Sequence, residues 1–169
     1  MSNEDPGGAQ TALITRAQAG DAYDTPPLAT CSYWEYRRGT GTATRITRMP
    51  PRGVALPNPR WTDLRRWPDA SILQPGRDYF RKGLPPAQFR DRYLDDLNRL
   101  GGKMIAAALR AVPVENGRLV LLCFEKTAAV TADPWVCHRR IFAEWWQDLT
   151  GAEVPELAGA DAPGLFTTP

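Results

Sequence analysis

Residues 119–124, Leu-Val-Leu-Leu-Cys-Phe, are apolar without interruption. In a strand, successive side chains point to opposite faces, so such a run is greasy on both. A half-exposed strand would alternate; this one has to be covered on each side, which is the condition of a central strand in a parallel sheet. The Asn116-Gly117 turn lies before it and polar residues 125–133 follow. A chain containing this element must therefore supply neighbouring strands and covering layers.

The covering helices are written as periodicities. From Pro86, a good first-turn residue, Phe89, Tyr93, Leu94, Leu97 and Leu100 recur at spacings of three and four, until Gly101-Gly102 breaks the helix. Met104, Ile105, Ala108, Leu109 and Val112 form a second apolar stripe ending at Pro113. A third helix opens at Cys137, with Ile141, Phe142, Trp145, Trp146 and Leu149 predicted to face inward and Gly151 to stop it. Strand-like residues 29–36 and 44–48 flank the polar loop Gly39-Thr40-Gly41-Thr42, and residues 154–157 read as one last short strand. Strands alternating with helices predict a three-layer α/β fold, Rossmann-like, with a mostly parallel sheet flanked by helices.

Eight prolines in residues 49–87 predict an irregular segment, although residues 61–67 have room for one or two helical turns. At 169 residues the chain fits one domain. The expected organisation is a mobile arm over 1–27, a single α/β domain over 28–158 and a tail over 159–169. No apolar run approaches the ~20 residues that cross a bilayer, and residues 1–8 lack a signal-peptide pattern. No membrane partner and a cytoplasmic location are the expectation.

Three cysteines, Cys31, Cys123 and Cys137, make a poor disulfide framework, and His138 is the only histidine. His-His metal motifs are thereby excluded. A zinc site from Cys137, His138 and a distant cysteine is disfavoured because adjacent ligands seldom both reach one ion, so no metal site is expected. Cys123, inside the apolar strand, reads as core. The cofactor is left unspecified.

The net charge of +2 hides a basic block: residues 37–66 carry eight arginines against Asp63 alone. Arg37, Arg38, Arg45, Arg48 and Arg52 alternate with Tyr33, Trp34, Tyr36, Trp61 and Trp67, a mixture suited to phosphate contact and base stacking. A nucleic-acid or protein-partner role for the stripe from Arg37 to Arg66 is therefore one reading; a solvated basic face is the other.

In open α/β sheets ligands collect beyond the carboxyl ends of strands. That rule places Glu125 and the Cys137-His138-Arg139-Arg140 helix start around one crevice. Cys137 is the candidate nucleophile or redox thiol, and His138 or Glu125 the general acid or base. Arg139 and Arg140, with Ser32, Tyr33 and Arg45 at other strand ends, are the candidate substrate contacts. A small anionic molecule, a nucleotide or phosphorylated metabolite, is the expected ligand, and a transferase or hydrolase the expected kind of enzyme. In the alternative, Glu125 simply pairs with Arg139 or Arg140.

Four segments carry a resemblance: Thr30-Cys31-Ser32-Tyr33, Thr44-Arg45-Ile46-Thr47-Arg48, Leu121-Leu122-Cys123-Phe124-Glu125-Lys126, and Cys137-His138-Arg139-Arg140-Ile141-Phe142-Ala143-Glu144-Trp145. Together with Glu153-Val154-Pro155-Glu156-Leu157 they resemble the bacterial domain-of-unknown-function family 488 over about residues 29–157. The resemblance implies an α/β domain whose first strand and Cys-His-Arg turn share a site. The acidic arm, the longer loop between Lys126 and Cys137, and Cys31 in place of a more usual serine depart from that pattern.

Overall fold

A computed structural model describes residues 23–48, 68–80 and 82–157. Strand β1 spans Leu28–Ser32, β2 Thr42–Arg45 and β3 Leu119–Cys123. All pairings are parallel and the order is β1-β3-β2, so the apolar run of β3 occupies the centre. Parallel bridges at Thr30↔Glu156 and Arg45↔Asp69 extend the sheet at each edge. The first of these is the strand-like segment expected over 154–157, reduced to a single bridge.

β1 is shorter than the stretch 29–36. Ser32 ends it: the Trp34 amide donates to Ser32 Oγ, and the Glu35 and Tyr36 amides donate to the Ser32 carbonyl. This local turn outcompetes the sheet ladder. The chain then passes back across the sheet to reach β2 and buries Tyr33 and Tyr36 against Cys31, Ala43, Val120 and Leu122. Gly41 marks the tightest point of that crossing, since a Cβ there would meet Arg118 Cγ and Val120 Cγ2 at 2.6 Å.

The opposite face, carrying Leu119 and Leu121, is covered by helices. Helix α1 is Arg77–Phe80, α2 Pro86–Leu100, α3 Gly102–Arg110, α4 Thr127–Ala132 and α5 His138–Thr150. Tyr93 and Leu97 of α2, Ile105 and Leu109 of α3, and Ile141, Phe142 and Trp146 of α5 meet β3 in one core. The cluster on the Val120 and Leu122 face contains no helical residue among those described. α5 ends at Gly151 in the left-handed conformation, φ +75°.

Three details differ from the periodicity reading. Met104 is 57% exposed and Leu149 36%, because the inward stripes of α3 and α5 are narrower than their apolar residues. Trp145 is only partly buried and donates its ring N–H to Asn98 Oδ1 at 2.8 Å. Residues 127–132, expected as loop, form α4; Glu35 Oε2 receives both the amide and the hydroxyl of Thr127, at 2.8 and 2.7 Å, and caps the helix from a distant turn. Tyr23, from the expected arm, packs edge-on against Trp146. The turns proposed over 61–67, most of the arm and the tail fall outside the described residues; the described residues between 68 and 85 are irregular apart from one 3-10 turn at Ser71–Leu73 and the short α1.

The central placement of β3 predicts that Leu121→Ala lowers unfolding free energy by about 2–5 kcal/mol in urea titration, while Met104→Ala changes it by less than about 0.5 kcal/mol. Similar losses at both positions would contradict the assignment of the buried face.

Candidate active site

Because the strands are parallel, their carboxyl ends share one edge, and Ser32 lies in register with Cys123. Beyond Cys123 the chain continues through Phe124, which packs on Tyr33 with ring centroids 5.3 Å apart. Two residues past Cys123, Glu125 returns to the same side, and Cys123 Sγ donates to Glu125 Oε2 at 3.0 Å. The start of α5 comes in over this edge. Cys137 is its N-cap in extended conformation (φ −134°, ψ 127°), and His138 is the first helical residue.

His138 is oriented by its environment. Its Nε2 lies 2.9 Å from the Ile46 carbonyl, which can only accept, so Nε2–H is the donor. Neutral imidazole then carries its lone pair on Nδ1, 3.5 Å from Cys123 Sγ. Tyr93 buttresses the ring edge-on at 5.6 Å. The Sγ atoms of Cys123 and Cys137 and a ring nitrogen of His138 all lie within 4.8 Å of one another. The change from extended Cys137 to helical His138 turns both side chains toward Cys123, which answers the objection that adjacent residues do not converge.

Burial pushes both thiols up; at Cys137 the hydrogen bond from Cys123 and the electrostatics of the neighbouring His138 prevail and bring it below the ordinary thiol value. Burial and the neighbouring Cys137 hold Cys123 well above it. At Glu125 burial raises the pKa, but hydrogen bonds from Cys123 and Cys137 outweigh it and favour the carboxylate. Cys31, on the other face, is pushed up to about 12 by burial and by Glu156.

The arginines behave differently from expectation. Arg139 is fully buried and forks onto Glu156, with Nη2 to Oε1 at 2.8 Å and Nε to Oε1 and Oε2 at 3.1 and 3.2 Å. Its Nη1 donates to Cys137 Sγ at 3.5 Å. Arg140 donates to Thr30 Oγ1 and the Val154 carbonyl and lies 3.7 Å from Glu156 Oε2. Glu156, not Glu125, is thus their partner, and neither arginine lines the cavity at the carboxyl ends of the strands. Arg45 pairs with Asp69 at 3.4 Å, Ser32 is buried against the Phe124 carbonyl and the Trp34 amide, and the Tyr33 hydroxyl meets Thr47 Oγ1 at 2.8 Å. All five substrate-contact candidates are engaged within the fold. In the basic stripe Arg48 donates to the Pro75 carbonyl, while Arg52, Arg60, Arg65, Arg66, Trp61 and Trp67 lie outside the described residues.

A cavity of about 290 Å³ opens at this edge. Cys123, Glu125 and His138 line one end; Tyr79, Phe80, Leu84, Phe89, Trp135 and Val136 form most of its remaining wall. Arg90 stacks over the Trp135 ring at 4.8 Å, and among the described residues no arginine or lysine lines the space. Of the two clustered thiols, Cys123 faces the cavity and Cys137 lies behind it. Cys123 is buried, as its place in the apolar strand predicts, and it lines the cavity as well; the Cys-x-Glu spacing at the strand end puts both side chains on one side. Glu156 had no comparable cue beyond its place in the Glu-Val-Pro-Glu-Leu segment.

Comparison with family models, curated proteins and solved structures finds no match for this chain.

Glu156→Ala should cost about 3–5 kcal/mol in chemical denaturation, because it strands the buried Arg139 guanidinium; a loss below about 1 kcal/mol would contradict that role. For the thiols, lowering pH through the depressed Cys137 value adds a proton to the pair, and raising it removes one. Chelator-treated protein should therefore show one thiolate by ultraviolet absorbance with a midpoint below 9.0, abolished by Cys137→Ser. A single transition at or above 9.0 would contradict the arrangement.

Proposed function

We propose that the protein binds a small molecule with an apolar or aromatic body and acts on its polar end, as a hydrolase or transferase. The carrying observation is that Cys123, Glu125 and His138 converge at one end of a cavity whose other walls are largely apolar. Such a site excludes water around the ligand's body and leaves a few polar groups to orient it, the usual economy of small-molecule pockets. Glu125, kept ionised by its thiol donors, is the proton acceptor that faces the ligand; His138 and the thiols form the polarisable surface behind it.

This reading departs from the expected anionic ligand on charge. The arginines meant to clamp an anion are held by Glu156 and Asp69, and among the described residues the formal charge lining the cavity is the carboxylate of Glu125. The segments that resemble family 488, Cys123-Phe124-Glu125 and Cys137-His138-Arg139, meet at this place, which supports a shared site there.

A thermal-shift screen tests the reading. Neutral aromatic and apolar compounds at about 100 times their Kd should raise Tm by roughly 5–10 °C, given ~2.7 kcal/mol of linkage and ~2–4 °C per kcal/mol for a chain of this size. Leu84→Trp, which fills the cavity from a partly buried wall position, should abolish the shift without unfolding the protein. Stabilisation confined to phosphorylated compounds, or a shift indifferent to Leu84→Trp, would overturn it.

A further inference from the structure

We propose that Cys123, Cys137 and His138 bind one thiophilic divalent cation, zinc by chemistry, with an open coordination position facing the cavity beside Glu125. The site itself stands on the cluster; what the cation does for a ligand rests on the function proposed above. Two thiolates and an imidazole are a donor set suited to a borderline-soft dication, and three protein ligands with a free position are the pattern of catalytic rather than structural zinc.

The spacing fits. Donors placed at ~2.3 Å (sulfur) and ~2.0–2.1 Å (nitrogen) from a tetrahedral ion stand about 3.6 Å apart. Cys123 Sγ and His138 Nδ1 are 3.5 Å apart, and all three donor atoms fall within 4.8 Å. Cys137, the third donor, sits at a helix start fixed by the Arg140 and Ile141 amides donating to its carbonyl.

The outer partners are also in place. A metal-bound imidazole characteristically gives its other N–H to a carbonyl or carboxylate, and His138 gives Nε2–H to Ile46 at 2.9 Å. Arg139, locked by Glu156, donates to Cys137 Sγ and compensates thiolate charge there. A disulfide between Cys123 and Cys137 would need neither of these contacts. The cavity supplies the entry path and ends on Cys123, Glu125 and His138, so the fourth position is open to a ligand's polar end or to water.

The test uses the full chain, stripped with a chelator and titrated with Co²⁺, then Zn²⁺. Expected are one ion per chain, near-ultraviolet thiolate-to-cobalt charge transfer, visible bands of a four-coordinate ion, and loss of both on adding Zn²⁺. Cys123→Ser and Cys137→Ser should each remove about half of the charge-transfer intensity, one of two Co–S bonds. His138→Gln should weaken affinity by more than about 100-fold, since even outer-shell changes cost ~10–100-fold. Cys31→Ser should leave the spectrum unchanged. Should the cysteine variants fail to fold by circular dichroism, the wild-type spectrum and protection of Cys123 from alkylation by Zn²⁺ decide.

No charge-transfer band in wild type, an undiminished band in both cysteine variants, or one lost in Cys31→Ser would overturn the site. Leu84→Trp separates the two claims: it should abolish ligand stabilisation and leave the cobalt spectrum intact. Ligand stabilisation without any cobalt spectrum overturns the cation site and leaves the cavity reading standing.

Discussion

The pairing of β3 on both edges is the constraint from which the rest follows. A strand apolar on both faces is stable only when flanked and covered, and the two parallel neighbours supply the flanks. Parallel pairing also sends all three carboxyl ends to one edge, so whatever chemistry the strand ends carry must gather there. With β3 in the middle, its last residue, Cys123, sits at the centre of that edge. The crossing from β1 to β2 seals one face with tyrosines, and the helices seal the other.

A second lock fixes what approaches the edge. Glu156 is bridged to β1 through Thr30 and holds Arg139, and with it the first turn of α5. The start of α5 is thereby held over β3 from behind, while the Ile46 carbonyl holds His138 from the β2 side. Two elements thus position adjacent residues of α5, and the cluster with Cys123 results from their agreement. The arrangement is pre-organised: the buried polar atoms that orient the site are satisfied by the fold rather than by a ligand.

Much of the scaffold was readable from local pattern. β3, the helix starting at Pro86, its break at Gly101 and the stop at Gly151 depend on periodicity and capping, which are written in neighbouring residues. The order of the strands was not, because it depends on which distant segments pair. Partners of buried charge were illegible for the same reason. Arg139 and Arg140 carry the same signature whether they clamp a substrate or a carboxylate of their own chain, and only the fold shows Glu156 beside them. Glu35 capping α4 from about ninety positions away is another case. Of the site, Glu125, Cys137 and His138 were visible as candidates; Cys123 was hidden because the last position of a buried strand serves core and site alike.

The central claim is that two thiols far apart in sequence are neighbours at the end of an accessible cavity. Phenylarsine oxide reports this directly, since its arsenic bonds two adjacent thiols and releases one water. Native reduced protein should take up one phenylarsenic group per chain, and peptide mass spectrometry should find it joining the segments that contain Cys123 and Cys137, with Cys31 unmodified. Absence of the bridged adduct, or a bridge involving Cys31, would contradict the account.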